Sequence, residues 1–471
     1  MPPDDRPDRL TPDEQDRPGA AGSDAEARQQ AGAEPFADGV AVDPIASLRE
    51  RGFLLYLLGG LVSNAGNLMR TTAVGWEIYA RTGSALSLGL VGLVLAVPVL
   101  VLALPAGALA DRYPRKTLIL IAQVGLAASG LGLAWTATTG APIAFTYGFL
   151  LMSGIFRALG WPASQAFVAN LVPQRVFANA AMWRSVAYQM SATTGPLAAG
   201  FLIAAYSPAL VYLLDAASSG ILIVCLLFVV PGPQARSAET RSVRSLLDGA
   251  RFVARQPVIL STITLDMVAV LFGGATALLP IFATDVLAVG AEGFGWMRAM
   301  PSLGAIATGL ILAVRPPMKR AGRAMLLAVA AFGVATVVFG LATPIVEGVS
   351  RVAALPAWAP YGLSLAALFA LGAADNVSVV IRSTVIQLLT PDEMRGRVAA
   401  VNAVFIGTSN EIGEFESGLV ASVIGAVRTV ALGGVLTLVT VAVVAARWPA
   451  LRRVGSLESL TPEPRAAATP V

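Results

Sequence analysis

The chain has 471 residues, of which 56% are hydrophobic and only 13% charged, and its mean hydropathy is +0.71. A soluble surface needs about a quarter charged residues, so a string of two or three water-facing domains is excluded. The absence of histidine rules out imidazole acid–base chemistry and the usual zinc sites, and a single cysteine, Cys225, allows no intrachain disulfide.

In chain order, residues 1–47 are rich in Pro, Asp, Ala, Gly and Arg, with almost no large apolar residues. This composition predicts a disordered tail. No apolar stretch follows a basic start there, so no cleaved signal peptide is expected. Twelve apolar runs follow, each about long enough to cross a hydrocarbon core of about 30 Å. They are continuous, not alternating, so they read as helices and not barrel strands. The first six are expected near 53–79, 86–110, 117–138, 141–167, 178–205 and 208–230. The second six are expected near 258–287, 293–314, 323–343, 361–389, 396–426 and 429–446. Residues 48–230 and 258–446 then form two six-helix bundles, separated by a central loop at 231–257 and followed by a polar tail at 447–471.

Charge orients the spans. Residues 1–50 hold twelve acids against five arginines, a net of −7, which leaves +11 on the remainder of a chain of formal charge +4. With both termini cytoplasmic, twenty Lys and Arg fall in the inner gaps and flanks, and three (Arg81, Arg351, Arg428) in the outer gaps. That bias is the positive-inside signature of a multi-pass plasma-membrane protein. It is also a reason to expect a lipid bilayer, and not nucleic acid, as the partner of the basic excess. The fold class expected is an all-α membrane protein of twelve transmembrane helices.

The turn between the second and third spans, "PAGALADRYPRKTLIL" (105–120), concentrates charge. Gly107, Asp111, Arg112, Arg115 and Lys116 fit G-x-x-x-D-R-x-x-R-K. Read alone, this is a basic cytoplasmic loop. The pattern resembles the signature loop of the major facilitator superfamily, G-x-x-x-D-R-x-G-R-[RK], with Pro114 where glycine is usual. "WPASQAFVANLVPQ" (161–174) and "VIRSTVIQLLTPDEMRGRVAAVNAVFIG" (380–407) are similar to the branch containing the enterobactin exporter and related drug and secretion effluxers. In the fifth span, Gly195, Pro196 and Gly200 of "GPLAAG" resemble the exporter motif of that superfamily, with Ala199 replacing one glycine. Ordinary packing of small residues is the alternative.

The resemblance implies two pseudo-symmetric bundles rocking about a central cavity. It places Asp111 against the start of the eleventh span near Gly396 and Arg397, with Arg112, Arg115 and Lys116 making contacts on the cytoplasmic face. The second-half counterpart, "RPPMKRAGR" (315–323), has no Asp, so the latch is expected to be one-sided. The function it implies is proton-coupled export of a small amphiphilic drug, siderophore or secondary metabolite. An importer or lipid flippase of the same fold, or a non-transporting scaffold, are the alternatives.

Ionisable residues within spans are functional candidates, because each costs about 2.5–3.5 kcal/mol to insert. The first half offers Arg70 and Arg157, with Asn64 and Asn67 three residues apart. The second offers Asp266, Arg298, Asp375, Arg382, Glu411 and Glu414. Glu411 and Glu414 share a helical face, the arrangement of paired carboxylates a proton-coupled exporter needs. Structural ion pairing, for example Asp266 with Arg298, is the alternative, and Glu77 and Arg298 are candidates for the outer water edge. No enzyme motif, metal site or cofactor is expected. The expected partners are a small-molecule substrate, protons and the bilayer, and the expected state is a monomer.

Overall fold

The computed structural model describes residues 43–234, 243–315, 318–352 and 354–456. Most of the two expected tails, together with Arg236 and Arg241 of the central loop, lie outside the described residues. The chain divides into two compact units. In the first, Met1–Ala46, the described part is a turn in which Asp43 accepts hydrogen bonds from the backbone of Ile45 and Ala46.

The second unit, Ser47–Val471, is helical, with no strand among the described residues. Its first six long helices are α1 (Arg51–Thr82), α2 (Ala85–Arg112), α3 (Arg115–Thr139), α4 (Ile143–Phe167), α5 (Phe177–Ala205) and α6 (Pro208–Phe228). The next six are α7 (Pro257–Phe272), α8 (Gly290–Val314), α9 (Ala321–Gly340), α10 (Ala359–Leu389), α11 (Asp392–Ile424) and α12 (Ala426–Arg447). Among the described residues, ten of these segments are long and apolar enough to cross a membrane. The other two, α5 and α11, are as long, at 29 and 33 residues, but more polar. With them the helices match the twelve expected spans.

Local signals set the turns. α1 ends at Gly83, whose φ of 60° is left-handed and whose N–H reaches Tyr79 O at 2.8 Å. One residue later the Ser84 hydroxyl caps α2 by accepting from the Ser87 N–H at 3.3 Å.

The packing has an internal symmetry that the list of spans does not reveal. In the first half α1 packs on α5 and α6, α3 on α4 and α6, and α2 on α4. Adding six to each label gives the packing of the second half: α7 on α11 and α12, α9 on α10 and α12, and α8 on α10. The two large contacts between halves, α2 with α11 and α5 with α8, exchange under the same shift. The molecule is therefore two related six-helix bundles facing each other across two crossings.

Both crossings are made backbone to backbone near the end that carries the Gly83 turn, opposite the charged turn at 111–116. A Cβ added to Gly418 of α11 would fall 2.5 Å from Gly89 Cα of α2. A Cβ on Gly200 of α5 would fall 2.7 Å from both Ala291 O and Gly295 Cα of α8. At the same end Trp76 of α1 packs on Phe294 of α8, ring centroids 5.7 Å apart. Tyr79 of α1 donates a hydrogen bond to Asp285, in the segment that follows α7.

Two features depart from the sequence reading. The seventh span is not one helix: α7 stops at Phe272, and the chain continues through Gly273 and Gly274 and a π turn over Phe282–Val286. The break lies where neighbouring backbones press closest. A Cβ on Gly433 of α12 would fall 1.9 Å from Phe272 O, and one on Gly413 of α11 2.9 Å from Leu271 O. In addition, the stretch expected as the central loop contains a helix, Val243–Arg255. It lies on the start of α11, with Val253 buried among Ile259, Ile263, Val398 and Val401.

Candidate functional site

Among the described residues, three ion pairs join one helix to another in the interior of the array. The first two tie each bundle to itself. Arg70 of α1 faces Asp215 of α6, with Nε and Oδ2 3.5 Å apart, and both residues are buried. Arg382 of α10 donates to Asp266 of α7, each 5% exposed. Asp375 of α10 lies within electrostatic range of both members of that second pair. The third pair is different in kind. Arg157 of α4 donates to Glu411 of α11, so this bond joins the two bundles. Its arginine side chain is about a third exposed, whereas the other arginines are sealed.

Glu411 and Glu414 both lie against Gly92 of α2, Glu411 through its backbone and Glu414 through its side chain: a Cβ there would meet the Glu411 backbone O at 2.6 Å and Glu414 Cβ at 2.7 Å. Glu414 feels the charges of Arg298, Glu411 and Arg157. Arg298 does not pair with Asp266, which is taken by Arg382. Instead its Nη1 donates to Thr276 O at 3.2 Å, a carbonyl freed by the break after α7. A broken helix in a membrane needs such a donor. Glu77 is not at a water edge either. It is buried, with Tyr212 donating to Oε2 at 2.7 Å and Arg81 to Oε1 at 3.0 Å.

The wall of the first bundle beside the third pair encloses a cavity of about 30 Å³. Asn67, Arg70, Thr71, Ser153 and Arg157 contribute its polar lining. Arg70 Nη2 donates to Asn67 Oδ1, and Arg70 Nη1 is buried with no hydrogen-bond partner. Asn64, on the same stretch of α1, is exposed and does not line this cavity.

At the basic end the charged turn binds its own bundle. Arg115 Nη1 donates to Ala166 O at 3.0 Å, in the last turn of α4, and to Asn170 Oδ1 at 2.7 Å, just beyond it, and Lys116 Nζ donates to Val229 O at 2.8 Å, beyond α6. Gln234 takes part by accepting from the Arg115 N–H at 3.3 Å. Arg112 is exposed, 5.8 Å over the Tyr113 ring, and Gly107 is buried. Asp111 Oδ2 is buried and accepts no hydrogen bond. In the GPLAAG stretch, Gly195 fits against Ala65 O of α1 and Gly200 against α8, with Pro196 O also against Gly295.

Sequence reasoning passes over Asp215, although an aspartate in the apolar run "YLLDAASSGILIV" meets the same test that selects Asp266. It also passes over Tyr79 and Asp285, which lie near span ends, where polar residues are ordinary and carry no signal.

Comparison with known proteins follows from this geometry. The family model for transmembrane secretion effectors matches residues 42–468. The uncharacterised MFS-type transporter YfiS of Bacillus subtilis (strain 168) is 25% identical over 392 residues, 80% of this chain and 88% of that protein. The enterobactin exporter EntS of Shigella boydii serotype 18 is 28% identical over 327 residues, 69% of this chain and 74% of that protein. In fold, the chain is similar to a bacterial homologue of the human lysosomal transporter Spinster in an inward-facing, unoccupied conformation, with a TM-score of 0.63 at 14% identity over 86% of this chain and 99% of that one. It is likewise similar to a D-xylose–proton symporter, with a TM-score of 0.62 at 13% identity over 89% of this chain and 99% of that one.

Proposed function

The chain belongs to the transmembrane secretion effector family of the major facilitator superfamily, and on that premise we propose that it is a proton-coupled exporter of a small amphiphilic compound. A drug, a siderophore or a secondary metabolite fits the description, and the likeness to an enterobactin exporter supports the outward direction. The moving bodies are residues 48–230 and 258–446, hinged through 231–257, with the tails 1–47 and 447–471 and the basic face in the cytoplasm. In this assignment the glycine crossings shut the outer side, and the protein works as a monomer without cofactor.

The observation that carries the reading is the Arg157–Glu411 pair, with Glu414 one turn away, at the surface where the bundles separate. A titratable carboxylate placed there can link protonation to rocking, because it holds the bundles together only while it is charged. The test is a growth-inhibition panel of amphiphiles in an efflux-deficient host, with and without a protonophore. The chain should raise tolerance to at least one compound, and the protonophore should remove the gain. Glu411→Gln, which keeps size and hydrogen bonding but removes charge, should abolish gradient-driven efflux of that compound, and Glu414→Gln should weaken it. If both single variants and the double variant keep wild-type efflux, coupling lies elsewhere, with Asp266 and Asp375 next in line.

The Asp111 Oδ2, buried and accepting no hydrogen bond, fits a latch that is undone in this state and closes on the start of α11 in the other. A carboxylate at a helix N-terminus contributes up to about 2 kcal/mol when partly buried, and about 1.4 kcal/mol is a tenfold population shift. Asp111→Asn is therefore expected to insert normally and to lose roughly tenfold in efflux. Unchanged efflux at unchanged expression would reduce the turn to a topology signal.

A further inference from the structure

The cavity beside Arg157 has a one-sided chemistry. Among the described residues its polar lining is two guanidinium groups, two hydroxyls and an amide, with no carboxylate. The carboxylates come from outside that wall. Asp215 stands at Arg70 Nε, leaving Nη1 buried and without a hydrogen bond. Glu411 reaches across from the other bundle to Arg157, and its Oε2 is buried with no partner. Two donors thus converge on a space where the opposite bundle supplies one oxyanion.

The space is too small for a substrate as it stands. A volume of about 30 Å³ is about one water's share of the liquid. A ligand enters only when the bundles part, and parting them breaks the Arg157–Glu411 bond. Unless something replaces Glu411, a guanidinium is then left bare in a low-dielectric site, which is strongly unfavourable. A cation would meet two arginines, and a neutral compound would replace nothing.

We propose that the transported compound carries an oxyanion (carboxylate, phosphate or sulfonate) that takes the place of Glu411 on Arg157 and engages the free Nη1 of Arg70. This rests on the exporter reading above and adds its substrate class. Glu411 is then an internal competitor of the substrate: ligand and carboxylate hold Arg157 in turn, so loading the site and closing it exclude each other.

The test uses two probes of one shape, 1-naphthoate and 1-naphthamide, titrated calorimetrically into the full chain in lipid nanodiscs near neutral pH. Wild-type protein should bind the carboxylate about tenfold more tightly than the amide, a step of about 1.4 kcal/mol. Arg157→Gln should erase that preference and Arg70→Gln should reduce it. Glu411→Gln should act in the opposite sense, raising naphthoate affinity about tenfold and leaving the amide unchanged. This arm stands even where an arginine variant fails to fold. Equal binding of the two probes, no saturable binding of either, or weaker naphthoate binding in Glu411→Gln would overturn the proposal. Flux separates it from the exporter reading. Naphthoate binding with this signature but no gradient-driven flux of any compound supports the anion site and removes the exporter. Gradient-driven flux of a neutral or cationic compound that Arg157→Gln leaves intact does the reverse.

Discussion

Gly200→Leu is expected to prop the two bundles apart at the end where they now meet, and to reduce transport at least tenfold. The new Cβ alone would fall 2.7 Å from Ala291 O and Gly295 Cα. Both are backbone atoms of α8, so relief requires moving a helix and not turning a side chain. Overpacking of this kind costs about 1–3 kcal/mol, borne only by the conformer in which α5 and α8 touch, so the population moves about tenfold or more toward the other. The measurement is labelling of a cysteine placed at Ala199, now fully buried, in a Cys225→Ser background. A water-soluble thiol reagent added from the side of the Gly83 turn should react faster in the leucine variant. Gly220→Ala, where an added Cβ meets nothing within 4 Å, is the matched control. Labelling and transport that stay at control levels would mean the crossing is not a gate.

Arg382→Leu should be the most destabilising substitution of a span charge. It strands Asp266, 5% exposed, with Asp375 nearby and no cation in place. Removing one member of a buried pair typically costs about 3–5 kcal/mol, whereas replacing both members is often near neutral. The single variant should therefore express poorly and melt well below wild type in detergent, and Arg382→Leu combined with Asp266→Leu should recover most of the loss. Equal stability of the single variant and the wild type would show that the pair does not hold α7 to α10. Arg157→Gln provides the contrast. Its side chain is 37% exposed, so transport should fall while melting moves little.

The spans could be read from the sequence because length and hydropathy are properties of a segment by itself. Glu411 and Glu414 were recognisable as one face for the same reason, since the helical repeat is local. Which charge meets which could not be read. Asp266 had Arg298 as one example of an ion-pair partner, and only the packing of α7 on the rest of its bundle gives it Arg382 instead. Arg298 looked like half of an ion pair because the Gly-Gly and Pro of "LFGGATALLP" signal a break without saying that Thr276 O is the carbonyl left in need of a donor. The helix at Val243–Arg255 is passed over because its three arginines read as loop charge, although seven of its thirteen residues are apolar; the burial of Val253 depends on α11, which lies far along the chain.

The Asp266–Arg382 pair spans 116 residues of sequence, and that distance is also a time. At roughly 5–20 residues per second, synthesis of the intervening chain takes about 6–23 s. During that interval the seventh helix has left the ribosome and its arginine does not yet exist. An aspartate cannot wait that long facing lipid tails at acceptable cost, so the nascent helix has to be sheltered by the insertion machinery or by helices already in place. The order in which the bundles assemble is written into which member of each pair is made first.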